Sequence, residues 1–334
     1  MPVKANSGDP VQPDATFGSG YPATLLGRMS LVPRTPGRRV LTTARGSQSG
    51  AFGPVEWSLL TGVALVWGSS YLLIEIGLES LAPAVITWAR VTLGFVVLIW
   101  FPAARRPMDR ADWRQTTILA LVWTSFPFLL SPISQQHIDS ALAGMINSLI
   151  PIFAASIAMV FLREVPAIRQ IGGLLLGLVG AASLALPAAS QSSAAAWGVL
   201  LAVVAAVLYG LGLTLTIPLQ QRYGGPAVML RVLGVSAVAT APFGIAGLWN
   251  SSWETTPVAA VTVLGFLNTG IGFLLMVGFA GRVGPTRAGV AIYFLPIVAI
   301  ALGIVFRSEV VLPIQWAGTG LVLLGAFLVS RREH

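Results

Sequence analysis

Few side chains in this sequence could do chemistry, and the most unusual of them lie inside apolar runs. Glu75, Arg90 and Arg231 are ionisable groups in such runs, Arg90 seven residues after Pro83 and Arg231 five after Pro226. An ionisable group in hydrocarbon costs about 2.5–3.5 kcal/mol on insertion scales, so each is expected to face protein or a wet cavity. Two readings are open. The arginines could anchor a substrate carboxylate or gate opposite mouths of a path. Alternatively, Arg90 pairs with Glu75 across a short hairpin, a height difference of ~6 Å, and Arg231 snorkels to lipid headgroups.

Uncharged groups form a second set. Asn147 precedes Pro151 by one helical turn, and Tyr293 precedes Pro296 by three residues. Proline removes a backbone donor and kinks a helix, and helices interrupted in this way expose carbonyls that can bind an ammonium. Trp67, Ser70 and Tyr71 lie at a similar depth, as do Trp88, Trp123, Tyr209, Asn268 and Thr269. Their rings could stack on an apolar or cationic substrate; interhelical packing is the plainer role. Glu164 and Glu309 each follow a proline by 13 residues, Pro151 and Pro296 respectively. At helix ends such carboxylates cap the following helix or pair locally, and there they could link neighbouring ends during gating.

Other chemistries find no residues. There is no cysteine, and the only histidines are His137 and the terminal His334. Thiol catalysis, thiolate metal sites and disulfides are excluded, and a hydrolytic constellation has no intramembrane histidine or paired aspartates. "GLGLTL" at Gly210 lies within an apolar run with no preceding strand, so it is not a dinucleotide motif. Neither a cofactor nor an enzymatic activity is expected.

The elements that must position these groups are membrane helices. Of 334 residues 55% are hydrophobic and 10% charged, against about 25% charged in a soluble domain, and mean hydropathy is +0.81. Apolar runs of about twenty residues match a hydrocarbon core roughly 30 Å thick. Ten spans are expected, near 57–77, 83–102, 115–134, 140–162, 168–187, 195–217, 226–248, 258–280, 285–306 and 312–330. Residues 1–55, rich in Pro, Gly, Ser and Arg, read as a disordered cytoplasmic tail.

Orientation follows from charge. With the N-terminus inside, eleven arginines beyond the tail fall on inner loops or the C-terminus (105, 106, 110, 114, 163, 169, 222, 282, 287, 331 and 332), and only Arg307 falls outside. That asymmetry predicts two cytoplasmic termini. It also accounts for the net charge of +8 without a nucleic-acid partner.

The chain writes one unit twice. "AGMINSLIPIFAASIAMVFLREV" from Ala143 and "AGVAIYFLPIVAIALGIVFRSEV" from Ala288 share nine identities in 23 positions without a gap. At the same offset Gly173 meets Gly318, Gly180 meets Gly325 and Phe128 meets Phe273; upstream, Trp67-Gly68 meets Tyr209-Gly210. Two five-span units, 56–190 and 191–334, would therefore enter the bilayer from opposite faces. That is the architecture of many alternating-access transporters. The glycine rows allow close backbone approach, for packing within the chain or for a homodimer.

The motifs "WGSS" at Trp67, "PAVITWAR" at Pro83, the paired prolines and glutamates, and the glycine rows "QIGGLLLGLVG" and "QWAGTGLVLLG" resemble those of the EamA family of the drug/metabolite transporter superfamily. The resemblance covers residues 57–331. It implies an all-helical inner-membrane permease, often an exporter of amino acids or other small metabolites, with substrate held between the halves. With no nucleotide-binding loop in the sequence, the driving force is expected to be an ion or substrate gradient. A proton is one candidate coupling ion, with Glu75 as the one plausible intramembrane carrier; facilitated diffusion is the other reading. A lipid-carrier flippase and a non-transport scaffold are the alternatives.

Overall fold

The computed structural model describes residues 52–162, 168–283 and 288–330. Glu164, the segment 1–51 and the C-terminal residues from 331 lie outside the described residues. The described chain is helical, without strands.

Among the described residues, eight helices are long and apolar enough to cross a membrane: Pro54–Leu78 (α1), Arg110–Gln135 (α3), Ser140–Phe161 (α4), Ile168–Ala189 (α5), Ser193–Tyr223 (α6), Gly225–Asn250 (α7), Thr255–Val283 (α8) and Gly289–Arg307 (α9). Two shorter apolar helices, Pro83–Ile99 (α2) and Pro313–Val329 (α10), complete the bundle. Each of the ten expected segments carries a helix among the described residues, the second ending at Ile99 rather than near 102. α6 outruns its expected end at 217, continuing through Pro218 for a total of 31 residues. At ~1.5 Å per residue that is ~46 Å, which requires tilt or protrusion beyond the hydrocarbon.

Proline interrupts α4 and α9 where expected. In α4 one helical segment ends at Asn147 and the next begins at Ile150, with Pro151 in its first turn. In α9 a 3₁₀ stretch, Gly289–Phe294, precedes the α-helix that carries Pro296 at its start. In both, the missing proline N–H breaks the ladder at the same repeat position.

Two further interruptions were not legible in the sequence. α3 contains a π-helical stretch, Leu121–Ser125, and α8 another, Leu264–Ile271; at the repeat offset of 145 they overlap. Hydroxyls fit this wider turn: Ser125 Oγ donates to the Ala120 carbonyl and Thr269 Oγ1 to the Leu264 carbonyl, each five residues back.

The glycine rows pack within the chain. A Cβ on Gly173 would stand 2.7 Å from the Gly325 carbonyl oxygen, and one on Gly180 the same distance from that of Gly318. As the index rises along α5 it falls along α10, so these repeat-equivalent helices run antiparallel. Exchanging each residue for its repeat equivalent turns the 173–325 contact into the 180–318 contact, as a pseudo-twofold relation requires.

Candidate functional site

A central cavity of about 90 Å³ lies among both repeats, several times the ~10–15 Å³ that one ordered water needs. Its wall is largely built from repeat-equivalent pairs: Trp67 with Tyr209, Phe128 with Phe273, Asn147 with Ile292, and Ile150 with Leu295. The cavity therefore sits on the pseudo-twofold axis. Its aromatic members hold one another edge-on, Trp67 and Trp123 each 5.6 Å from the Phe273 ring, an arrangement that the ring quadrupoles favour.

One member breaks the symmetry. Arg90 lines the cavity, is only 7% exposed, and pairs with no carboxylate among the described residues. Its guanidinium carbon stands 3.8 Å from the Phe128 ring centroid, a cation–π contact that stabilises a desolvated cation by about 2 kcal/mol. Its Nε–H donates to Thr269 Oγ1 at 2.9 Å, across the boundary between the repeats. The π-helical turn prepares that contact: the single Thr269 proton is spent on the Leu264 carbonyl, so the oxygen presents a lone pair to Arg90. No described residue accepts from the two terminal nitrogens of Arg90. Thr124, the repeat equivalent of Thr269, instead meets the Ser236 hydroxyl at 2.6 Å.

Asn147 is a second built-in feature. Its Nδ2 donates to the Ala143 carbonyl at 3.1 Å, while its Oδ1 is buried without a partner. The cavity thus combines a buried cation, an unused amide oxygen and apolar rings.

Of the residues singled out in the sequence, Trp67, Ser70, Tyr71, Arg90, Trp123, Asn147 and Tyr209 meet here. Asn268 stands behind the wall, its Nδ2 donating to the Ser69 and Ser70 hydroxyls, while its carbonyl accepts from Trp67 Nε1. Trp88 belongs instead to a separate apolar recess with Leu81 and Trp253. The Tyr293 hydroxyl donates to the Ala326 carbonyl. Arg231 lies away from the cavity, bonded to the carbonyls of Ala104, Ala227 and Arg106.

The Glu75–Arg90 pair does not form. Glu75 Oε1 accepts instead from Arg307 Nε at 2.8 Å, and Arg307 reaches Glu79 at 2.6 Å. Arg307, carried at the end of α9, bridges Glu75 and Glu79 with one bond to each, whereas Arg90 is drawn inward by Phe128 and Thr269. Glu309 caps neither its own following helix nor a local partner: it accepts from the Ser140 and Ala141 amides at the start of α4, 3.0 and 2.8 Å away. Helix N-terminal amides are the natural site for such a charge. Burial pushes its carboxyl above the usual range, the Ser140 and Ala141 bonds opposing and the Glu75 charge adding. Asp139 is likewise raised, by burial and then by Glu75. At the opposite end, Arg282–Glu56 and Arg222–Asp112 also join the two repeats.

Phe128, Ser131 and Phe273 were not singled out for the site. The matched position of Phe128 and Phe273 in the repeat was a usable signal; Ser131 carried none.

The sequence matches the model of the EamA-like transporter family over residues 57–186 and again over 196–331. A probable terminal-alkyne amino-acid exporter of Streptantibioticus cattleyicolor is 28% identical over 283 residues, covering 83% of this chain and 93% of its own. An uncharacterized inner membrane transporter of Escherichia coli, YedA, is 23% identical, covering 82% of this chain and 90% of its own. One solved crystal structure superposes with a TM-score of 0.59 at 19% identity, over 83% of this chain and 96% of that one, a likeness of fold alone. These findings favour transport over the flippase and scaffold readings.

Proposed function

The chain belongs to the EamA-like transporter family, and from that premise we propose that it is a secondary exporter of small carboxylate-bearing metabolites, amino acids foremost. Its two five-helix repeats, 56–190 and 191–334, span the membrane ten times in inverted orientation and rock about the central cavity. The observation that carries the substrate class is Arg90: a buried guanidinium with free terminal nitrogens, in a cavity that offers it no acid. A carboxylate delivers the missing charge with bidentate geometry. The unused Asn147 Oδ1 suits an ammonium on the same molecule, and the aromatic wall suits an apolar side chain.

The positive-inside count supports cytoplasmic termini, and the name of the Escherichia coli relative supports an inner-membrane site. Ion pairs between the repeats at both ends of the bundle are contacts that rocking must break alternately. Glu75, beside Arg307 and Glu309, remains the candidate for proton coupling.

The test is efflux of radiolabelled amino acids from cells or proteoliposomes. Arg90→Ala should abolish it while leaving folded protein in the membrane, and Arg90→Lys, a point charge without the planar fork, should keep only part. Full efflux of amino acids by Arg90→Ala would remove Arg90 from the site; transport of cations but not of carboxylates would overturn the substrate class.

A further inference from the structure

On the outer wall of the bundle an apolar groove of about 570 Å³ runs between α3 and α7. Trp113, Thr117 and Leu121, one turn apart along α3, form one side of it, and Leu230, Gly234 and Val238 along α7 form the other. Val238 is 76% exposed and Trp113 42%, which in a membrane protein means that they face lipid. Nothing in the described chain fills the groove.

One end of the groove is strongly basic. Arg231 lines it, and its guanidinium is held there by the carbonyls of Ala104 and Arg106. Arg105 and Arg106 adjoin those same carbonyls. Arg110 lies one helical turn before Trp113, and Arg114 directly follows it; all four are exposed and form no ion pair among the described residues. The two nearby acids are engaged elsewhere, Asp112 by Arg222 and Tyr223, and Asp109 by the Tyr223 hydroxyl. A tryptophan at the rim, an apolar trough leading away from it and arginines above it match the three parts of an anionic phospholipid: interfacial backbone, acyl chain and charged headgroup.

We propose that this groove is a binding site for an anionic phospholipid, its acyl chain lying along α3 and α7 and its phosphate against Arg110 and Arg114, with Arg231 fixing the rim. The site is separate from the central cavity, so it serves to seat and stabilise the bundle and does not depend on what is carried.

The full-length protein in phosphatidylcholine nanodiscs, with and without phosphatidylglycerol, tests this through its melting temperature and through the lipid retained in native mass spectrometry. Phosphatidylglycerol should raise the melting temperature and stay bound, whereas added phosphatidylcholine and soluble glycerol phosphate should do neither. The double variant Arg110→Gln/Arg114→Gln, on exposed positions, should weaken retention roughly 30-fold, each surface arginine contributing near the typical amount for an anionic bilayer. Val238→Trp, which fills the trough, should displace the lipid without touching a charge. Equal stabilisation by phosphatidylcholine would overturn the headgroup assignment, and equal stabilisation by glycerol phosphate would reduce the site to a phosphate patch. Unchanged phosphatidylglycerol retention by the double variant would sink the proposal even if Val238→Trp failed to fold.

Discussion

At the scale of single residues, the decisive feature is how Arg90 is held rather than that it is present. Thr269 spends its proton on Leu264 and so can only accept from Arg90. Thr269→Val should strand a buried guanidinium donor, an effect of about 1–3 kcal/mol. Its expected signature is a raised KM for efflux with nearly normal expression, measured beside Thr269→Ser, which keeps the acceptor and should behave like the wild type. Much of the cavity was legible in the sequence at this scale. Trp67, Tyr71, Arg90, Asn147 and Tyr209 were identifiable as polar, charged or aromatic groups at mid-depth in apolar helices. Trp88 and Tyr293 were misplaced by the same reasoning. Depth follows from counting residues, whereas rotation about the helix axis depends on neighbours that the local sequence does not encode. Glu75 failed for a different reason: its partner, Arg307, lies 232 residues away, and the nearer arginine was the natural candidate.

At the scale of elements, the breaks of α4 and α9 were legible because Pro151 and Pro296 recur at the same repeat position; a proline alone is no sufficient sign, since α6 runs on through Pro218. The π-helical stretches of α3 and α8 were not, since their hydroxyls occur in ordinary helices as well. The link between α9 and α10 yields a pH test. Burial raises the Glu309 carboxyl above its ordinary range, so its contribution to stability is present at acid pH and is lost as pH rises through the raised value. Glu309→Gln, permanently neutral, should flatten that part of the pH dependence of the melting temperature. An unaltered pH profile in this variant would assign the dependence to Asp139, which is shifted in the same direction. Along α5, Gly180→Val should force that helix away from the Gly318 backbone, costing about 1–3 kcal/mol as overpacking does. Gly172→Ala, where a Cβ meets nothing, is the control, and the readout is thermal unfolding in detergent.

At the scale of the whole molecule, transport by rocking requires the ends of the bundle to part in turn. The absence of cysteine makes the chain ready for cross-linking without prior engineering. Glu75→Cys/Arg307→Cys, joined by a short bis-maleimide, should stop efflux, while either single variant treated alike should retain part of it. Undiminished efflux from the cross-linked protein would mean that this end never opens. The family and the two-copy plan were legible at this scale because duplication leaves its register in the sequence. The asymmetry was less so: Arg90 and Arg231 follow matching prolines, yet one reaches the central cavity and the other braces the carbonyls of the α2–α3 link.

The glycine contacts between α5 and α10 carry a further consequence. Because the 173–325 and 180–318 contacts interchange under the twofold relation, each half displays the very surface its twin docks against. Residues 56–190 made alone, and inserted in both directions, would find in their own upturned copy a mate of the right shape, forming a homodimer where nature built a single chain.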